Sequence, residues 1–383
     1  MVILVLIIDA LALLVWGKML HRMDRFNRDK RNEHYLFWFI VSGIVLNRIL
    51  VALLYPLWEF FLYTATGLGY GQNPFVTHIL IVGPVEETTK FLVFILLTGV
   101  FKSIKEPADA VVQAGSVALG FAIMENFSYG MEYGAVVLVM RSVISILGHV
   151  TYSGFWGLAW GSYRYSGSGG RTTTDRQLVV PFLLTAAFFH GTYNTLVVTG
   201  HFPAAILLNI CTGSAFLYFY RYTVAKSPYR KFRLTEYKTA IPVLSTGLRR
   251  YPDSYVLNKR MGIFKIYVKK YREAAANFRK AVRIKKESLE AKYYLGASLF
   301  LSGETEKGVE LMNSVNKELT PLQRKKMDAR LKKVISSNTD REMLYRMYDP
   351  ETGAFCGKPA SAGFPKPTRR QKQGAGRRVY RGK

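Results

Sequence analysis

Two adjacent carboxylates and an amine lie inside an apolar run of the sequence. The ionisable side chains between residues 75 and 101 are His78, Glu86, Glu87 and Lys90. A charge at the centre of a bilayer costs about 3 kcal/mol or more on insertion scales, so such residues usually serve a function. The spacing of four places Glu86 and Lys90 on one helix face. The alternative is a soluble core helix that carries a surface Glu-Lys pair.

Further polar side chains recur in the next three apolar segments. Counting about 1.5 Å of rise per residue from the ends of these segments, the side chains can all lie in the same half of the membrane. His190 and Asn194 are four residues apart and share a helix face. The side chains selected are Glu125 with Asn126, then His149, which Arg141 precedes by two turns, and then His190 with Asn194.

These residue types can hydrolyse a peptide bond. The reaction needs an activated water, a group that stabilises the oxyanion and a proton for the leaving amine. A carboxyl group among apolar neighbours can act as base and then as acid, and a second carboxylate strengthens this property. We predict Glu86 as the base with Glu125 as its partner, and Glu87 as the more structural carboxylate. Lys90 pairs with Glu86 or Glu87, and His149 orients water or completes the pocket.

The same residues also suit a metal ion. Two carboxylates and two histidines can form a tetrahedral or open zinc site, here from Glu86, Glu125, His149 and His190. The sequence lacks the His-Glu-x-x-His signature of many zinc proteases. We therefore expect a metal-free site, with zinc as the alternative.

The elements that carry these residues are predicted to be membrane-spanning helices. Each is near or above the ~20 residues that a bilayer requires. Basic and uncharged loops alternate between them, which places the N-terminus outside and the C-terminal part in the cytoplasm of a multi-pass cell-membrane protein. The first segment lacks the basic start and cleavage site of a signal peptide, so we expect it to be retained. The seven spans are 2–19, 35–63, 75–101, 107–128, 134–162, 177–199 and 203–222.

The charge of the chain changes sharply after the last span. Residues 1–222 carry 15 Lys and Arg against 12 Asp and Glu, whereas residues 223–383 carry 38 against 14. The predicted fold is all-α: a transmembrane helical bundle, a cytoplasmic helical repeat module and a basic tail. The domain bounds are 1–222 for the membrane domain, 223–234 for a linker, 235–337 for the repeats and 338–383 for a disordered tail.

A regular recurrence of small and large apolar residues predicts the repeat module. Met261-Gly262 recurs as Leu295-Gly296, and Ala274, Phe278 and Ala281 recur as Gly308, Met312 and Val315. The period, about 34 residues, resembles that of tetratricopeptide repeats, with a generic helical bundle as the alternative. Extending the pattern back by one period selects Ala240, Leu244 and Gly247 as a preceding half-repeat.

The intramembrane motifs resemble the PrsW family of intramembrane proteases, within the group that also holds the type II CaaX endopeptidases. They are Glu86-Glu87-x-x-Lys90, Gly120-Phe121-x-x-x-Glu125-Asn126, His149 and His190-x-x-x-Asn194, over residues 75–200. Where the CaaX branch has Phe-x-x-x-His, this chain has Phe121-x-x-x-Glu125, which argues against prenylated substrates. The resemblance implies that His190 and Asn194 stabilise the oxyanion, and it leaves open a metallo- or a glutamic-type mechanism.

The predicted partners follow from this organisation. The substrate is a membrane-anchored protein cut near the outer leaflet, and the resemblance suggests an anti-sigma factor. The helical repeats bind a protein partner, and the basic tail contacts anionic lipid headgroups, at about 1 kcal/mol per basic residue. Nucleic acid is not expected, because the tail has no aromatic interleaving. A proton pathway or transporter and a catalytically inactive scaffold are the alternative functions.

Overall fold

The computed structural model describes residues 1–24, 35–165, 177–347 and 354–355, and within them the regular elements are helices. The all-α prediction is confirmed. The chain folds into two compact units, Met1–Leu257 and Asn258–Lys383. The helices in order are α1 (Val2–Met23), α2 (Tyr35–Thr66), α3 (Gly83–Phe101), α4 (Pro107–Tyr133), α5 (Ala135–Tyr165), α6 (Val179–Val198), α7 (Phe202–Ala225), α8 (Tyr237–Arg250), α9 (Tyr255–Tyr267), α10 (Tyr271–Ile284), α11 (Leu289–Leu301), α12 (Thr305–Glu318), α13 (Pro321–Val334) and α14 (Asn338–Tyr345).

Five helices in the described part of the chain are long and apolar enough to cross a membrane: α1, α2, α4, α5 and α7. The two other predicted spans, α3 and α6, are not among the five. These two helices carry Glu86, Glu87 and Lys90 in one case and His190 and Asn194 in the other. That α3 and α6 also span the membrane stays a prediction.

The centre of the first unit is α4, which contacts α1, α2, α3, α5 and α7. Pro107 suits its first turn because the first backbone N–H groups of a helix have no partner within it. Asp109 accepts a hydrogen bond from the Glu106 backbone N–H at 3.0 Å, which fixes the start of the helix. Gly134 follows the helix with a φ of 84° and allows the sharp turn into α5.

The predicted span 75–101 is not one regular α-helix, because the segment before α3 has a different conformation. Val76–Val82 is π-helical, a rare conformation that is frequent at functional sites. Pro84 in the first turn of α3 has no N–H to donate to the Leu80 carbonyl four residues earlier. The Trp58 indole N–H of α2 donates to that carbonyl at 2.8 Å instead.

Glycines bring helix backbones into direct contact around the site. A Cβ at Gly120 of α4 would lie 2.1 Å from the Ile40 carbonyl oxygen of α2. One at Gly83 would lie 2.2 Å from the Ala187 carbonyl oxygen of α6. The sequence predicts close packing at Gly148, Gly154 and Gly157 of α5, and there too an added Cβ would meet neighbouring atoms at 3.0 Å or less.

The helices of the second unit recur with the predicted period. The bounds of α9 and α11 are offset by one full period at both ends, and so are those of α10 and α12. Gly262 faces Phe278 in one helix pair and Gly296 faces Met312 in the next, so equivalent positions make equivalent contacts. That this module belongs to the tetratricopeptide class stays a prediction.

Two features near the predicted domain limits differ from the composition-based picture. α8, assigned to the repeats, belongs to the first compact unit, where the Tyr251 hydroxyl donates to the Ile104 carbonyl oxygen at 2.5 Å. The predicted tail begins with the helix α14, which packs on the second unit through the fully buried side chain of Leu344. Residues 25–34 and 166–176, which hold most of the basic residues of two predicted loops, and most of the tail lie outside the described residues.

We predict that Gly120→Ala destabilises the first unit. The new methyl group would overlap the backbone of α2, and overpacking of this kind costs about 1–3 kcal/mol. Thermal unfolding in detergent should therefore begin several degrees lower than in the wild type. Gly99→Ala on α3 is the matched control, because nothing lies within 4 Å of its Cβ position. Equal unfolding temperatures for the two variants would contradict the close approach.

Candidate active site

Glu87 on α3 is fully buried and is surrounded by hydrogen-bond donors. Lys90 donates to its Oε1 at 2.7 Å, and His190 Nδ1 lies 3.1 Å from the same oxygen. Ser153 Oγ and Trp156 Nε1 of α5 donate to Oε2 at 3.0 and 2.9 Å. An ionised carboxylate accepts only, so these four donors occupy both of its oxygens.

Glu86, the preceding residue, has a different environment. It is 8% exposed, and its Oε1 accepts one hydrogen bond from the Tyr55 hydroxyl of α2 at 3.2 Å. Its Oε2 is buried and has no hydrogen-bond partner in the part of the chain that the structure describes. Leaving a buried polar atom unpaired is costly, so this oxygen marks a place for a water, an ion or a substrate atom.

His190 on α6 lies between the two glutamates. Its Nδ1 faces Glu87, and its Nε2 lies 3.5 Å from the unpaired Oε2 of Glu86. If His190 is neutral and donates from Nδ1, Nε2 and Oε2 are both acceptors and require a water or a cation between them. If His190 is protonated, its Nε2–H points into the space beside Glu86.

His149 on α5 connects this centre to a second charged group. Lys90 Nζ lies 3.1 Å from its Nδ1, and because an ammonium group only donates, Nδ1 accepts. The Nε2–H then faces Glu125 Oε2 at 2.9 Å. The His149 ring also meets the His190 ring edge to face, with 4.8 Å between centroids.

Glu125 on α4 is paired with Arg141 of α5 at 2.9 Å. Arg141 also donates from Nε to Asn126 Oδ1 at 3.1 Å and lies over the Tyr129 ring. Glu125 therefore has a cation and an imidazole as neighbours. It lines a small cleft between α4 and α2, with Gly43, Ile44, Arg48, Phe121 and Met124.

Three residues of the centre fit a metal ion. Glu86, His149 and His190 can each place one donor atom within 4.8 Å of the other two. Three protein ligands with an open position are typical of catalytic zinc. The unpaired Glu86 Oε2 suits this reading, and so does Glu87 behind His190 Nδ1, because metal-bound histidines usually donate their other N–H to a carboxylate.

The predicted fourth ligand, Glu125, is not part of that group. Its two oxygens face Arg141 and His149. His149 would have to release Lys90 or Glu125 to offer a nitrogen to a metal, because both of its ring nitrogens are engaged.

Comparison with known families identifies the family of the chain. A family model described as "PrsW family intramembrane metalloprotease" matches residues 31–224, just over half of the chain. The chain belongs to the PrsW family. PrsW proteins are membrane proteins, in agreement with the apolar helices. The match includes α2, which the sequence motifs left outside the resemblance, and α2 supplies the Tyr55 hydrogen bond to Glu86.

Three curated PrsW proteases illustrate the similarity. Protease PrsW of Geobacillus kaustophilus is 26% identical over 147 residues, 38% of this chain and 63% of that protein. The Clostridioides difficile protein is 28% identical over 178 residues, 45% of this chain and 71% of its own length. The Bacillus subtilis protein is 28% identical over 148 residues, 38% of this chain and 65% of that protein. This chain therefore covers less than two thirds of the length of two of these three relatives. No solved structure matches the chain.

The structure brings together most of the residues that the PrsW motifs select. Glu86, Glu87, Lys90, Glu125, Asn126, His149 and His190 form one connected polar cluster. The shared face of Glu86 and Lys90 does not lead to a contact, since Lys90 binds Glu87. Asn194, predicted to stabilise the oxyanion, is half-buried one turn beyond His190, and its side chain makes no hydrogen bond to a described residue. Its role stays a prediction.

Sequence reasoning missed three side chains of the candidate site, Tyr55, Ser153 and Trp156, and assigned no role to a fourth, Arg141. Arg141 had a detectable signal, because it lies two turns before His149 in an apolar helix that needs a carboxylate to compensate its charge. Tyr55, Ser153 and Trp156 have none, because such residues are common in apolar helices for other reasons.

We predict that two neighbouring isosteric changes differ in stability. Glu87→Gln leaves the Lys90 charge buried without its carboxylate, and breaking a buried ion pair costs about 3–5 kcal/mol. Glu86→Gln keeps an acceptor for Tyr55 and breaks no hydrogen-bonded ion pair. In detergent, Glu87→Gln should unfold well below the wild type and Glu86→Gln close to it. The structural role of Glu87 is wrong if both variants unfold at the same temperature.

Proposed function

We propose that this chain is an intramembrane endopeptidase that hydrolyses a peptide bond of a membrane-anchored protein. The observation that carries the proposal is the unpaired, buried Oε2 of Glu86 beside His190 Nε2. A catalytic base needs a free oxygen within reach of a water, and the adjacent Glu87 has none to offer.

In the proposed reaction, Glu86 takes a proton from water through Oε2 and later returns it to the leaving amine. In this scheme His190 carries a proton on each ring nitrogen, and Glu87 accepts the one on Nδ1. The Nε2–H points to the space beside Glu86, where the oxyanion develops. Asn194, on the same helix face, is the proposed second donor.

Glu125 acts indirectly in this scheme. Its charge is compensated by Arg141, and its Oε2 faces His149 Nε2. It therefore orients His149, which in turn accepts from Lys90 and keeps that ammonium group beside Glu87. This indirect role differs from the direct partnership of Glu125 with Glu86 that the sequence predicts.

A metal ion held by Glu86, His149 and His190 would polarise the substrate carbonyl and activate a bound water. In that version His190 is neutral, and Glu87 fixes it so that Nε2 faces the ion's position. The sequence-based preference is the metal-free version, and the two versions differ in the protonation of His190.

The proposed topology has the N-terminus outside, seven spans and the C-terminal helices in the cytoplasm. The alternation of basic and uncharged loops supports this orientation. It puts the site in the outer half of the membrane. The proposed physiological role is regulated cleavage of a signalling protein such as an anti-sigma factor, with a protein partner on the helical module and anionic lipids at the basic tail.

We predict that Glu86→Gln and His190→Ala each lower cleavage of a single-span substrate in liposomes by at least about 100-fold. Loss of a general base or of an oxyanion donor has effects of this size. Glu132→Gln and His201→Ala are the matched controls, since both residues are exposed, and they should cleave like the wild type. If the two site variants also cleave like the wild type, the chain is not this protease. Ion flux that Glu86→Gln abolishes would favour a transporter.

We further predict that cleavage persists after exhaustive chelation, with zinc below one equivalent by elemental analysis. This outcome follows from a metal-free reaction at Glu86. Activity that is lost on chelation and restored by zinc alone would contradict it and assign Glu86, His149 and His190 as ligands. Wild type that stays in zinc-containing buffer throughout is the control, and its activity and unfolding temperature are compared with those of the chelated protein.

A further inference from the structure

A short segment near the end of the chain is held by the second unit. Asn313 on α12 donates from Nδ2 to the Phe355 carbonyl oxygen at 2.7 Å. The Phe355 backbone N–H donates to Asn313 Oδ1 at 2.6 Å. One side chain thus pairs both backbone groups of a single residue, as a neighbouring β-strand would.

The Phe355 side chain is buried beside these two hydrogen bonds. It is 2% exposed, and its ring centroid lies 6.4 Å from that of Tyr345 at the end of α14. Tyr345 is itself held in place, because its hydroxyl donates to the Asp328 carbonyl oxygen at 3.3 Å and Lys332 Nζ lies 4.3 Å from the ring centroid. The aromatic neighbour of Phe355 is therefore fixed by α13 and α14.

This contact recognises a kind of peptide rather than one sequence. On the bound segment, the two hydrogen bonds to the Asn313 side chain involve only backbone groups. They can therefore form with any residue that has a backbone N–H. The buried position selects an aromatic side chain. Backbone pairing combined with a pocket for one side chain is a common mode of recognition of extended peptides.

We propose that the second unit carries a binding site for extended peptides with an aromatic residue, formed by Asn313 and Tyr345. The chain's own Ala354-Phe355 occupies the site as a tethered ligand. The partner is a protein segment that presents an aromatic side chain and both backbone groups of the same residue, and it competes with Phe355. This site is separate from the proposed proteolysis.

The test uses the full chain in detergent and a dye-labelled peptide with the sequence of residues 351–358. In the wild type, the tethered Phe355 competes at an effective concentration on the order of millimolar. Phe355→Ala empties the site, so the peptide should bind this variant at least about 10-fold more tightly, as measured by fluorescence anisotropy. A peptide with alanine in place of its phenylalanine should not bind.

Asn313 variants in the Phe355→Ala background identify the site. Asn313→Ala should abolish the gained binding, and so should Asn313→Asp, which keeps the side-chain size but turns a carboxylate oxygen toward the peptide carbonyl. Ser314→Ala is the matched control, because Ser314 is the exposed neighbour on α12 and should leave binding unchanged. Thermal unfolding of each variant establishes that the protein is folded.

Two results would overturn the proposed binding site. One is equal peptide affinity in the wild type and Phe355→Ala, and the other is binding that folded Asn313→Asp retains. Self-association of the wild type that Phe355→Ala abolishes would also overturn tethered occupancy, because it would make a second copy the source of the bound segment.

Discussion

The buried ion pair of Glu87 and Lys90 is the interaction on which the rest of the site depends. Neither side chain is exposed, and a buried pair is tolerated only when both partners and the remaining hydrogen bonds are in place. The further donors, Ser153, Trp156 and His190, come from α5 and α6. Satisfying one carboxylate therefore fixes three helices relative to one another.

The same constraint gives Glu86 its different environment. Adjacent residues on a helix point about 100° apart, so when Glu87 faces α5 and α6, Glu86 turns toward Tyr55 on α2. Glu125 is compensated by Arg141, and Glu87 by Lys90. Of these three carboxylates, Glu86 is the one that makes no contact with Lys or Arg among the described residues, and its Oε2 has no hydrogen-bond partner there.

Small residues make these short polar distances possible. Gly83 brings the backbone of α3 onto that of α6, and Gly120 brings α4 onto α2. A side chain at either position would separate the helices by more than a hydrogen bond tolerates. The π-helical turn before α3 adds to this arrangement. The Trp58 indole of α2 donates to the Leu80 carbonyl, to which Pro84 has no N–H to donate.

The sequence by itself determined the all-α class, the polar motifs and the period of the helical repeats. These depend on local periodicity and on the cost of placing charges among apolar residues, both of which can be read along the chain. It also selected Glu86 over Glu87 as the proposed base because Glu86 shares a helix face with Lys90, whereas the contact of Lys90 in the structure is with Glu87.

Only the tertiary structure decided which polar groups pair with one another. Arg141 with Glu125, Tyr55 with Glu86 and Asn313 with Phe355 are each far apart along the chain, and no local pattern joins them. Spacing along one helix fixes which side chains share its face. Which neighbouring helix that face meets is set by packing across the whole bundle.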